Sequence, residues 1–542
     1  MSGGSGTCEY VLDPDDPATW NGEGREIKFD HYEMLNENGV WNCPHDAEDG
    51  EELCLFHLPA EDKDDERVSN AFIDVLNKVS EQDNENSESR QSQFLGARFG
   101  EFDLSVNPPK IVAKDAEIVL SHITVERRLD WSETIFEVSN IHMRGVKFLS
   151  GCSFASTEFD GKVNFGDTEF YAEANFRSTV FRKEVNFGFA EFNKESRFSQ
   201  TRFIGGASFN GAEFDKEAYF TAAGFGEKAK FKWAKFGKEA VFQLTEFQEN
   251  AIFSEASFEK GADFSSSSGL TRGEFDSTDL TDAAFSDVAL QNANFENALL
   301  SRATLLGADL RGAKLDGAVL GDVRIDSDTQ FLGYPDEDND SSPHTFSAIR
   351  SKPCCVYDPN YRGDNDERDV SKAKSVYRTL EELANKAARP RLQSQCFVRR
   401  QDLQKIEYKR DTKKADSWQE RLIAGARYSR AKVARETLLY GESPWRVISG
   451  SVGFIIFAAL LYPLSEWLRP VGGEPITYSR IFGGEPGLFL ESLYFSTLTF
   501  TTLGMGDYEP LGVGQVLATL NTAFGAVLVA LLVFVLGRRA AR

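Results

Sequence analysis

From Phe148 to Phe264 a large aromatic residue returns at steps alternating between six and five residues, through Phe154, Phe159, Phe165, Phe170, Phe176 and onward. After Phe275 the step becomes a strict five, carried by Leu280, Phe285, Leu290, Phe295, Leu300 and their successors to Ile325. Two residues before many of these stands a small or β-branched residue, as at Ala174, Val185, Ala207, Ala293 and Ala303. Neither the helical period of 3.6 nor the strand period of 2 fits. A period of five suits a coil that turns a corner with each short unit, pointing the large and the small residue inward and the other three to solvent. The Phe and Leu ladder is then a packed interior, not a cofactor channel.

The pattern resembles the pentapeptide-repeat family. That resemblance implies a right-handed quadrilateral β-helix with about four units per coil, here over residues 111–330, and the six-residue step resembles its form with an extra corner residue. Roughly 34 units make about eight coils, and stacking at ~4.8 Å gives a rod of about 40 Å. No catalytic constellation lies on it, so it is expected to act as a spacer or as a surface for a cytoplasmic protein or small ligand.

The whole chain is too long for one core. Its net charge of −25 is concentrated in the polar N-terminal portion, and the last hundred or so residues are apolar, so the mean hydropathy averages two kinds of protein. Such an acidic surface disfavours nucleic acid as a partner and favours hydration, as in a protein of high-salt surroundings. The start, Met1 to Gly6, has neither a basic nor an apolar stretch, so no secretory leader is expected and the N-terminal bulk should stay in the cytoplasm.

Seven cysteines in a chain of this kind argue against a disulfide framework. In the acidic N-terminal region, 1–110, Cys8, Cys43, Cys54 and His57 offer four zinc ligands, with His45 competing for the fourth place. The other reading is a small acidic domain with free cysteines and surface histidines. Cys152, Cys354, Cys355 and Cys396 show no ligand spacing and read as structural. Glu61 to Ser92 is polar and reads as a loop or a solvated helix.

Beyond the repeats, 331–370 reads as a closing loop and 371–440 as a helical linker rich in Lys and Arg. Positive charge before a span marks the cytoplasmic side and can meet anionic lipid. Two apolar spans follow, 447–467 and 513–537, the second ending in Arg538 and Arg539, so both chain ends are expected in the cytoplasm of a multi-pass membrane protein. Between the spans Glu466, Glu474, Glu485, Glu491, Asp507 and Glu509 face only Arg469 and Arg480, the reverse of the linker. There, 488–501 reads as a helix too short to cross, running into Thr502-Leu503-Gly504-Met505-Gly506.

Carbonyl oxygens can replace the hydration shell of a cation where alternate residues tolerate unusual backbone angles, which glycine does. These residues resemble the potassium-channel signature Thr-Val-Gly-Tyr-Gly-Asp, together with Thr501 before it, Asp507 and Pro510 after it, and Tyr494-Phe495 on the short helix. The resemblance implies a filter of Thr502, Leu503, Gly504, Met505 and Gly506, with Thr501, Asp507 and Tyr494 in support, potassium as permeant ion, and a homotetramer in lipid. It also implies that Asp507 bonds to the pore helix or its neighbours. Leu503 and Met505 depart from the signature; without the aromatic cuff a weaker preference for potassium over sodium follows. Gly525 reads as a gating hinge or as a point of close packing, and Asn521 and Thr522 as facing a cavity or another helix. The competing function is a membrane-anchored repeat scaffold that conducts nothing. An enzyme is not expected, because no nucleophile, base or phosphate loop is recognisable.

Overall fold

The computed structural model describes residues 6–20, 32–80, 91–106, 108–333, 353–361, 368–503 and 506–540. The chain is multidomain and divides into two compact units, 1–379 and 380–542.

The first unit is a right-handed quadrilateral β-helix. Two-residue strands stack in parallel into sheets of eight, twelve and eight strands. The twelve-stranded sheet covers two faces because the long strand Ile135–His142 pairs with Glu158–Phe159 at one end and Lys162–Asn164 at the other. Cys152 lies on Ala174, and Ala174 on Ser196. Residues in register across adjacent coils are 22 apart here, as at Asn164 and Asn186, and 20 apart beyond Phe275, as at Asp282 and Arg302.

The corners explain the two spacings. Ser156, Asp167, Ser178, Phe189 and Gln200, and their successors to Glu255, all have positive φ, and each follows by two residues a Phe that opens a five-residue step. From Arg272 on, a left-handed residue returns at nearly every five-residue corner. The six-residue steps turn with their extra residue. A side chain in this region costs about 1–2 kcal/mol, and the coil holds it by pairing, as where the Ser156 N–H donates to Arg177 O at 2.9 Å.

Inside, each Phe ring stacks on the ring one coil away: Phe170 on Phe192 at 4.6 Å and Phe214 on Phe236 at 4.7 Å between centroids. Threonines at the small inward position satisfy their hydroxyls on the neighbouring coil, as Thr179 Oγ1 does on Phe154 O at 2.7 Å.

Coil strands begin at Arg98–Phe99 and Phe102–Asp103, upstream of the boundary at 111 expected from the Phe ladder. They precede the regular spacing, so the periodicity does not reveal them. The polar stretch before them contains α1 (Asp65–Ser80), which is not simply solvated: Val68, Phe72 and Leu76 form a buried stripe, and Phe72 packs on Phe94, Phe102 and Trp131. At the other end Tyr357 donates to Glu296 at 2.8 Å. Tyr377 of α2 (Val370–Lys386) donates to the buried Asp358 at 2.8 Å. Cys152, Cys354, Cys355 and Cys396 are all buried. Most of the expected closing loop, 334–352 and 362–367, lies outside the described residues.

In the second unit α3 (Pro390–Lys414) and α4 (Trp418–Leu438) form a helical hairpin, α4 starting at Ser417, whose side chain accepts from the Glu420 N–H. Then come α5 (Pro444–Leu461), the short α6 (Tyr478–Phe482), α7 (Gly487–Phe500) and α8 (Val513–Ala540).

Candidate ion-permeation site

Pro444–Leu464 and Val513–Gly537 are long and apolar enough to cross a membrane, yet only 28% and 17% of their apolar windows are buried. The core helix of a soluble protein would hide most of that surface. Here Val452, Ile456, Phe457, Val527, Val533 and Phe534 lie open.

Between these helices α7 packs on both, around Ala458, Tyr462, Leu488, Phe495 and Ala518. Its C-terminal turn is closed by two backbone bonds, Leu503 N–H to Leu498 O at 3.1 Å and Thr502 N–H to Thr499 O at 3.2 Å. This is a Schellman arrangement with Thr502 in the left-handed place, φ 59°, where glycine is usual. A β-branched residue with positive φ is a strained outlier. It turns the chain sharply out of α7, and Leu503 emerges exposed. Gly504 and Met505 lie outside the described residues.

Asn521 is fully buried and fastens α8 to α7: its amide nitrogen donates to Ser496 O at 2.9 Å and Thr499 Oγ1 at 2.7 Å. The Thr522 hydroxyl instead turns back on its own helix, donating to Ala518 O at 2.9 Å. One turn past Asn521, a methyl built on Gly525 would stand 1.9 Å from Phe500 O. Gly525 is thus a place where α8 touches the end of α7.

After the filter segment the chain pairs back. Tyr508–Pro510 runs antiparallel to Leu468–Pro470, and Arg469 Nη2 meets Glu509 Oε2 at 2.6 Å. Sequence reasoning missed this hairpin, although its signal was present: each strand is an apolar or aromatic residue, a charge and a proline, with the charges opposite. Asp507 is exposed, its carbonyl accepting from the Val471 N–H at 3.0 Å. Among the described residues its carboxylate reaches no pore-helix donor, so the bond expected to α7 is not made within the single chain. Tyr494 is half exposed, edge-on to Tyr508 at 6.2 Å.

Residues 451–542 match the family model described as an ion channel, and 176–224 and 278–320 match two models of pentapeptide repeats. The chain fuses pentapeptide repeats to an ion-channel module. Among solved structures, HetL, a pentapeptide repeat protein of the cyanobacterium Nostoc sp. strain PCC 7120, is 15% identical over 41% of this chain and 90% of its own, with TM-score 0.23. QnrB1, a plasmid-mediated fluoroquinolone resistance protein, is 16% identical over 38% and 92%, with TM-score 0.17. No curated protein matches the chain.

The basic linker ahead of the channel module is organised on one buried acid. Asp402 of α3 accepts from two of the three guanidinium nitrogens of Arg435 from α4, Nε and, at 3.0 Å, Nη2, and from the Tyr440 hydroxyl at 3.1 Å, with Lys405 at 3.4 Å. Burial pushes the Asp402 carboxyl up, but Arg435 and Lys405 prevail and hold it below the usual carboxylate range. A depressed carboxyl stabilises the fold above its unfolded pKa of about 3.9, and that contribution is lost as pH falls through the folded value. Asp402→Ala leaves the half-buried Arg435 with only the exposed Glu436 carboxylate, at 3.6 Å, at a cost of up to about 3 kcal/mol. Hydrogen exchange of α3 and α4 should rise sharply in the variant at neutral pH and, in the parent chain, only in acid below about pH 4. Equal protection in both at neutral pH would show the pair to be idle.

The N-terminal ligand candidates also converge. Cys8, Cys43, Cys54 and His57 are buried with their ligand atoms within 4.8 Å of one another.

Proposed function

We propose that four copies of this chain form a potassium-preferring cation pore whose pentapeptide-repeat unit lies in the cytoplasm as a regulatory or scaffold element. One observation carries the reading: α7 stops between two open apolar helices at a strained Thr502, beyond which Leu503 and Gly506 lie exposed. One filter strand per chain needs a ring of copies to surround an ion. The exposed Tyr494 and Leu503 and the open faces of α5 and α8 offer the surface such a ring would use, against neighbouring copies and lipid. Linker charge before the first span supports cytoplasmic chain ends.

The test is current through a planar bilayer containing the full-length protein, with potassium on one side and sodium on the other. Expected are discrete openings with a potassium-favouring reversal potential that disappear in Gly504→Ala. Equal permeability to both ions would trace to Leu503 and Met505. Silence from both a verified tetramer and its 380–542 portion would leave the anchored scaffold as the function.

A further inference from the structure

We propose that Cys8, Cys43, Cys54 and His57 hold one structural zinc ion that locks the N-terminal cap onto the first coil of the solenoid. The ligand atoms lie within 4.8 Å of one another, at separations scattered around a zinc tetrahedron's edges, where ligands at about 2.3 Å for sulfur and 2.0–2.1 Å for nitrogen stand roughly 3.5–3.8 Å apart. Cys43 Sγ is 3.7 Å from Cys54 Sγ, and His57 Nδ1 lies 3.9 Å from Cys8 Sγ and 3.1 Å from Cys54 Sγ. Thiols form only weak hydrogen bonds, so three of them brought from separate segments into one dry site have little to gain from each other. A Cys43–Cys54 disulfide would need the sulfurs at about 2.05 Å and would leave Cys8 and His57 without a role.

The surroundings are those of a ligand shell. His57 Nε2 bonds Leu95 O at 2.9 Å, which places the proton there and leaves Nδ1 facing the thiols. The Cys54 N–H donates to Cys8 Sγ at 3.1 Å, and the ring of Tyr10 stacks on His57 at 3.9 Å. Three thiolates around a divalent ion leave one negative charge. The Lys63 ammonium, on the carbonyls of Leu55 and Phe56 at 3.0 Å, stands next to it in the chain fold. His45 has its Nε2 on Gln91 O at 2.8 Å in the same way, but its Nδ1 approaches only Cys43, at 3.4 Å, so it orients that ligand and leaves the fourth place to His57, whose Nδ1 faces two thiols. All four places are filled by protein, which makes the site structural and not catalytic.

The cluster also explains what closes the open edge of the β-helix. Arg98, in a strand of the first coil, donates its N–H to Phe56 O at 3.1 Å, and Trp41 Nε1 donates to Gln93 at 2.8 Å. An exposed edge invites further strands; here it is covered by segments that the ion would tie together.

The full-length protein, purified reduced from zinc-supplemented cells, should carry about one zinc per chain, with the three thiols protected from alkylation until a chelator is added. Cobalt(II) exchanged into it should give the intense visible bands of a tetrahedral thiolate site. Cys54→Ser and His57→Ala should lose the metal, and His45→Ala should keep it. Chelation should raise hydrogen exchange in residues 91–98. Substoichiometric zinc together with no cobalt bands in the parent chain would overturn the proposal, as would full retention in His57→Ala. The cobalt spectrum of the parent decides the matter even where a variant does not fold.

Discussion

Gly525→Ala is expected to stop selective conduction, although alanine is the better helix former by roughly 1 kcal/mol. The added methyl would lie 1.9 Å from Phe500 O, 2.7 Å from its carbonyl carbon and 3.0 Å from its Cα. Those are backbone atoms, so no side chain can rotate away, and ordinary contact needs α8 and α7 to part by about 1.5 Å. Overpacking of this kind costs about 1–3 kcal/mol. Its consequence is local: Phe500 precedes by two residues the strained Thr502 that aims the filter, and one turn of α8 away Asn521 holds the same helix end through Ser496 and Thr499. Potassium flux and the potassium–sodium reversal potential should both collapse in a variant that still assembles. A normal reversal potential with only altered opening would instead make Gly525 a hinge, the other reading its sequence allows.

The solenoid was legible because its period maps one residue to one place: each Phe or Leu of the ladder points inward from a face of the coil, and the six-to-five change in spacing is the change from 22- to 20-residue coils. Its first turn was not, since Arg98–Phe99 and Phe102–Asp103 precede the regular ladder and are fixed by tertiary contact with α1. In the channel module the spans and α7 follow from apolar length and the glycine filter. The Leu468–Pro470 and Tyr508–Pro510 pair does not, because three-residue strands so far apart in sequence have no local signal beyond their opposite charges. Asn521 could be assigned to a cavity or a helix, and only the geometry shows that it binds α7. The choice between His45 and His57 likewise rests on geometry: a distant carbonyl claims Nε2 of each, and the Nδ1 of His57 faces two thiols where that of His45 faces one.

Phe209→Ala should be the most damaging single change in the first unit. The ring is fully buried, stacked at 4.8 Å on Phe187 and 4.9 Å on Phe231, with Phe198 and Phe220 edge-on at 5.3 and 5.4 Å. Removing a buried Phe costs about 3–5 kcal/mol. The upper end is expected because the coils cannot close over the gap: the backbone ladder, including Phe209 N–H to Lys230 O at 2.6 Å, fixes their spacing. Stability in a stacked repeat is a sum of neighbouring interfaces, so the loss should divide the rod at this coil without unfolding the 380–542 unit. Circular-dichroism melts of the full-length protein should show the β transition lowered while the helical one stays, and Phe209→Leu should recover part of the shift. A melt unchanged to within about 0.5 kcal/mol would deny the ladder its role as the core. Currents recorded below the lowered transition then separate two uses of the solenoid: an unchanged open probability fits a spacer or scaffold, and an altered one from an intact pore makes the rod an input to the gate.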